Sequence, residues 1–274
     1  MPFFKKRKNL FREIKNAAKP YAKPALHLIT SGDWTVFSKM GQMPDVPKSF
    51  EWPAWNGKPL AFLMQLKFSE INGDGRLPQL PTSGLLYIFY DEEQGAWGFD
   101  PKDKGSWRLL FFEETDALKA RRYPKDLGTR YKLKYVEARL IDTYPPVGAG
   151  PLDAIVDCNE EREEAYYEFR AAVYEEMPGH HLGGYPDPIQ DADMDLECQL
   201  VSNGLYCGNE SGYEDERAEA LAKSRGDWTL LLQTDSDNDT EMMWGDGGSL
   251  YFWIRKDDLA ARNFDDVWMI LQCS

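Results

Sequence analysis

The chain has 274 residues, 42% hydrophobic and 14% aromatic, enough to bury a sizeable core in one large or two modest domains. Its apolar runs, such as Leu60 to Leu66, stay far below the about 20 residues of a membrane-spanning helix. A net charge of −14 disfavours nucleic acid and suits a basic protein partner.

The N-terminus passes from Pro2-Phe3-Phe4 directly to Lys5-Lys6-Arg7-Lys8, without the apolar region of about 7 to 15 residues that marks a secretory signal. The four cysteines, Cys158, Cys198, Cys207 and Cys273, form no Cys-x-x-Cys pair and read as reduced thiols, so a cytoplasmic location is expected. Residues 1–28 carry eight bases and one acid. Within them Leu10, Phe11, Ile14, Ala17 and Ala18 recur at helical spacing, predicting a basic amphipathic leader helix that Pro20 and Pro24 end. Such a helix packs on its own domain or lies peripherally on an anionic membrane.

Residues 29–150 hold sixteen charges of each sign and read as strands at Ala61 to Lys67, Leu85 to Tyr90, Trp107 to Glu113 and Lys132 to Ala138. After a Pro- and Gly-rich linker, Asn159 caps a helix expected to reach Met177, with Ala165, Phe169, Ala172 and Val173 as its buried stripe and Pro178-Gly179 as its stop. Residues 151–274 contain a second helix expected from Glu214 to Ser224 and strands at Trp228 to Thr234, Ser249 to Arg255 and Val267 to Cys273. Short helical turns are expected at Asp257 to Arg262 and at the similar Asp116 to Arg121. Eighteen acids face three bases over 153–217, and eleven face five over 218–274.

One phrase occurs twice. Gly41-Gln42-Met43-Pro44-Asp45 leads to Gln65 and then to the strand after Gly84, and Gly183-Gly184-Tyr185-Pro186-Asp187 leads to Gln233 and the strand after Gly248. Pairing Tyr87 with Tyr251 is preferred over the rival register that aligns Trp97-Gly98 through Arg121 with Trp244-Gly245 through Arg262. The fold class expected is mainly β (α+β): internally duplicated, antiparallel, roll-like β units, 29–150 and 151–274, with a few peripheral helices.

No catalytic constellation is recognisable, and no catalytic residue, metal or cofactor is assigned. The candidate binding residues are Gln65, Gln233, Asp235, Asp237, Trp244, Asp246, Asp45, Asp187 and His181. An amide in the middle of an apolar strand must find a partner, because an unpaired one costs about 1 to 3 kcal/mol. Each Gln either bonds the Gly-x-x-Pro-Asp loop of its own copy or both face a shared cleft. From Asp235 the carboxylates fall at calcium-loop spacing, but Thr240 stands where that loop needs Gly, and the flanks read as strands. The adjacent His180 and His181 lack the Cys or third His that a zinc site needs nearby.

On Gly41-x-x-Pro44-Asp45, Leu63-Met64-Gln65, His181-Leu-Gly-Gly-Tyr-Pro186, Leu231-Leu232-Gln233, Met243-Trp-Gly-Asp-Gly-Gly248 and Phe264-Asp-x-Val-Trp268, the chain resembles the YwqG-like family of uncharacterised, mostly bacterial proteins. The resemblance implies a mainly β, roll-like duplicated fold and supplies no activity. Because the first copy has Gln42 where the second has Gly184, its loop is expected to be less constrained. The function expected is that of a cytosolic binding protein, an immunity-type inhibitor with an acidic surface. The alternative is an enzyme or a small-ligand (calcium) binder with its site between the repeats.

Overall fold

A computed structural model describes residues 2–115, 117–147, 152–157, 159–174 and 179–274. The strands are β1 (Lys23–Ser31), β2 (Lys39–Met40), β3 (Asp45–Val46), β4 (Ala54–Trp55), β5 (Lys58–Pro59), β6 (Ala61–Lys67), β7 (Leu85–Tyr90), β8 (Trp107–Phe112), β9 (Lys119–Ala120), β10 (Lys134–Thr143), β11 (His181–Gly183), β12 (Trp228–Asp235), β13 (Ser249–Arg255) and β14 (Trp268–Gln272). The helices are α1 (Pro2–Ala18), α2 (Phe68–Ile71), α3 (Leu152–Val156), α4 (Glu160–Tyr174), α5 (Met194–Ser202), α6 (Ala218–Ala222) and α7 (Lys256–Ala260). Ten strands form one antiparallel sheet in the order β14-β13-β12-β11-β1-β10-β2-β6-β7-β8, and β3-β9 and β4-β5 are small separate pairs.

The fold is mainly β, and the stretches expected to form two roll-like units packed as one globular body share one continuous sheet, nearly closed into a barrel. The reason is that β1 and β10, paired in register from Lys23↔Thr143 to Ser31↔Tyr135, join what each half would otherwise expose as an open edge. At the far ends the sheet curls round until Trp107 and Trp268 meet edge to face, ring centres 5.1 Å apart. The Trp107 indole donates to Val267 O and the Trp268 indole to Gly98 O, both at 2.8 Å.

β1 begins inside the stretch 1–28 that the sequence assigns to the leader and runs past its end. Pro24 near its start and the basic residues before it disguise the strand, yet Ala25 to Leu28 are buried because neighbours flank them on both sides. The leader helix itself forms. Ile14 and Ala18 are fully buried against Tyr144, Tyr166 and Phe169, so its apolar stripe is covered by α3 and α4 instead of being open to a bilayer. Asn159 Oδ1 accepts the Arg162 N–H at 3.0 Å and caps α4 as expected. On that helix Tyr166 takes an inward position while Ala172 faces solvent, and the expected end at Met177 and Pro178 falls outside the described residues.

Two short elements differ from expectation. The helix expected from Glu214 is confined to Ala218–Ala222. The Asp116 to Arg121 segment, whose Asp116 lies outside the described residues, forms no helical turn: Lys119–Ala120 is extended and pairs with Asp45–Val46, which offers it a free ladder.

α5 sits in the acidic stretch, its Met, Cys and Leu side chains buried against the sheet. It also buries Glu197, whose one oxygen accepts the Tyr213 hydroxyl at 3.2 Å while the other has no hydrogen-bond partner. Burial, reinforced by Asp191, Asp193 and Asp195 and partly opposed by Tyr213, raises this carboxyl from 4.5 to about 7. The folded state therefore holds the proton more tightly than the unfolded chain. This group's contribution to stability is full below pH 4.5 and is lost as pH rises through about 7. Glu197→Gln should raise the melting temperature at alkaline pH, where ionising the buried acid costs roughly 3 kcal/mol, and change it little in acid. Equal effects at both pH values would contradict this.

Candidate functional site

The two repeated phrases build the same local arrangement. In β6 and β12 a bulge precedes the glutamine, and the glutamine then pairs with a tyrosine: Gln65↔Tyr87 and Gln233↔Tyr251. Gln65 Oε1 accepts the Asp45 N–H at 2.8 Å while the Tyr87 hydroxyl donates to Asp45 O at 2.7 Å. Likewise Gln233 Oε1 accepts the Asp187 N–H at 2.9 Å and the Tyr251 hydroxyl donates to Asp187 O at 2.7 Å. Each Gln–Tyr pair thus holds both backbone polar groups of one aspartate and fixes the loop after Pro. In each half the tyrosine that the preferred register aligns lies opposite the glutamine, whereas the rival would equate the extended Lys119–Ala120 with Ala260–Ala261 at the end of helical Lys256–Ala260.

The two amides do not meet in a shared cleft, since each is bound to its own loop. The Gln65 amide N–H goes to Phe37 O and that of Gln233 to Asp235 Oδ1, both at 2.9 Å. Both loops turn through the left-handed region, with φ 54° at Gln42 and 76° at Gly184.

Side-chain charge separates the halves. Lys39 is paired with Gln65 on β2, and its Nζ lies 2.6 Å from Asp45 Oδ2. The residue so paired with Gln233 is His181, buried between Gly179 O and Tyr185 O at 2.7 and 3.1 Å. Burial lowers its pKa, against the opposing pull of these carbonyls and Asp235. Two residues after each glutamine stand Lys67 and Asp235. Their backbone N–H groups bond equivalent positions, Ser38 Oγ at 3.0 Å and His180 Nδ1 at 3.1 Å.

Around the second loop opens a cleft of about 510 Å³, lined by Asp187, Asp235, Asp237, Asp239, Gln233 and Ser249 among others. Asp235 is held by neutral donors: Ser249 Oγ at 2.7 Å and Gln233 Nε2 on one oxygen, the Gly179 N–H at 2.6 Å on the other. Asp187 meets Arg170 at 2.9 Å, yet burial, with Asp235 nearby, keeps its carboxyl above the ordinary aspartate range. Asp239, exposed on the rim, meets Lys134 at 2.8 Å.

Asp237 sits deeper. Burial alone would raise its pKa, but His180, the Asp239 N–H and Thr240 together hold it low. Because His180 Nδ1 accepts the Asp235 N–H, its Nε2 carries the proton, and that nitrogen lies 3.7 Å from Asp237 Oδ2. The Thr234 hydroxyl lies 3.0 Å from the same Nδ1, but His180 Nε2 and Asp237 Oδ2 are too far apart for a hydrogen bond, so no hydroxyl–imidazole–carboxylate relay is formed. Thr234 and His180 are fully buried, so no substrate reaches the hydroxyl.

Trp244 and Asp246 do not line the cleft. Trp244 is core, packed between Tyr90 and Tyr131, and its backbone N–H donates to Ser236 Oγ to brace the loop from within. Asp246 is exposed on the far side of that turn, and its carbonyl accepts from Ser274. The calcium-type spacing does not converge either, because the chain folds back at the Asp237↔Met242 bridge and Glu241 turns away to Lys132. Among the described residues no group of three His, Cys, Asp or Glu could hold a metal. Asp239, Ser249, Arg170 and His180 join this region although none was picked out as a binding residue. The acidic run around Asp239 was the one signal available, since Arg170 arrives from a helix distant in sequence.

The architecture defines a mainly β, barrel-like domain with an acidic cleft on one half. The chain belongs to the family described as Domain of unknown function (DUF1963), whose profile matches residues 38–273. No curated protein matches it. The matched range begins after β1, the strand that fills the middle of the sheet.

Proposed function

We propose that the chain is a non-enzymatic binding protein whose acidic cleft receives a cationic side chain from a partner protein. The observation that carries this reading is a charge reversal on a shared frame: Lys39 and Lys67 in the first half stand where His181 and Asp235 stand in the second. The matched Gln–Tyr clamps support an internal duplication in which one copy kept a neutral, closed loop and the other became an acidic receptor. The YwqG-like resemblance and a cytoplasmic location fit this reading, as does an immunity-type inhibitor acting on a basic toxin. A guanidinium suits the cleft, since planar donors pair well with carboxylates.

The test is binding of a labelled arginine-rich peptide, followed by anisotropy. Affinity should fall at least about tenfold between about 50 mM and 500 mM salt, and Asp239→Asn, on the exposed rim, should weaken it about three- to tenfold. A peptide that binds no better than its glutamine counterpart would overturn the proposal.

A further inference from the structure

The net charge conceals a cavity of the opposite sign. At the end of the barrel where β1, the 78–82 loop, Gly184, β12 and α7 converge, a cavity of about 800 Å³ is lined by Lys23, Lys256 and Arg262 and by no carboxylate. It adjoins a second cavity of about 640 Å³, with which it shares Lys23, Gly184, Thr229 and Lys256 as lining. The second cavity offers Tyr185, Trp228 and Trp253. Its two carboxylates, Asp193 and Asp195, are both engaged by Arg225.

Gathering cations costs free energy that an anion bound among them would offset. The Lys23 ammonium lies 4.0 Å from the centre of the Tyr185 ring, and Lys256 Nζ donates to Gly226 O, which leaves each with further N–H groups to offer. The close surroundings of Lys23, and then the Lys256 ammonium, lower the Lys23 pKa, with Asp195 opposing. The two lysines therefore feel each other.

We infer that Lys23, Lys256 and Arg262 bind the phosphate of a small phosphomonoester whose apolar body lies along Tyr185, Trp228 and Trp253. A phosphate fits better than a carboxylate because it brings close to two negative charges and three acceptor oxygens to three cations. The site shares no lining residue with the acidic cleft, so it is independent of the function proposed above. Lys23 also precedes the family-matched range, so this chain supplies part of the site from outside it.

Phenyl phosphate is a suitable probe, titrated at low salt by calorimetry and tryptophan fluorescence, with inorganic phosphate and phenol alongside. Phenyl phosphate should bind more tightly than inorganic phosphate, and phenol should not bind. Lys23→Gln and Lys256→Gln should each weaken phenyl phosphate at least about tenfold. Both side chains are exposed, so the variants should fold, and Lys58→Gln on the opposite half should bind as the parent does. Absence of phenyl phosphate binding, unchanged affinity in both lysine variants, or binding only to vesicles carrying phosphatidic acid would each overturn the inference.

Discussion

Gly98→Ala should destabilise the protein by more than about 4 kcal/mol, among the largest single-residue effects expected here. Gly98 has φ 89°, a conformation that strains any residue with a side chain, and a Cβ on it would lie 1.8 Å from Met269 O. That oxygen belongs to β14, so relief requires moving the backbone where the sheet curls shut. The same segment receives the Trp268 indole on Gly98 O and the Leu271 N–H on Trp97 O at 3.0 Å, and separation weakens both bonds. At roughly 2 to 4 °C per kcal/mol for a chain of this size, the melting temperature should fall by about 10 °C or more. Gly32→Ala, where a Cβ would meet nothing within 4 Å, is the control and should change little. Faster exchange of the Leu271 amide in Gly98→Ala would place the damage at the seam. A melting temperature within a few degrees of the parent would refute this account of closure.

That seam shows why some of the structure could be read from sequence and some could not. Ala61–Lys67, Leu85–Tyr90 and Ser249–Arg255 announce themselves because both faces of those strands are covered, giving unbroken apolar runs bounded by Gly and charge. The repeated Gln was legible for the same reason, as the one polar residue inside such a run. β1 was not, because its four buried residues follow a cluster of lysines and prolines that locally signals a leader helix and its stop. α5 was masked similarly by the acids around it, although Met194, Cys198 and Val201 carry helical spacing. Closure depends on glycine and indole contacts between residues more than 150 positions apart, which no local pattern encodes. The candidate sites divide in the same way. The acidic cleft takes three of its four carboxylates from one run, Asp235 to Asp239, whereas the cationic cavity joins Lys23 to Arg262 and stays hidden beneath an acidic average.

Gln65→Ala and Gln233→Ala should each cost about 3 kcal/mol, because each removes a buried side chain and strands a backbone N–H and a second group that it had satisfied. Their costs should add within about 0.5 kcal/mol in the double variant, since the two amides share no partner. Their effects on binding should differ. Gln233 fixes the Asp187 backbone and steadies Asp235, so its loss should disorder the acidic cleft and abolish preferential binding of the arginine-rich peptide. Gln65 fixes a loop whose Asp45 is already neutralised by Lys39, and its loss should leave peptide affinity nearly unchanged. Tyr251→Phe provides a milder step along the same route. It deletes only the hydroxyl that donates to Asp187 O, and should cost about 1 kcal/mol while weakening the peptide less than Gln233→Ala does. Equal loss of peptide binding in the Gln65 and Gln233 variants would mean that the halves work as one site. In that case the charge reversal between their loops would not explain recognition.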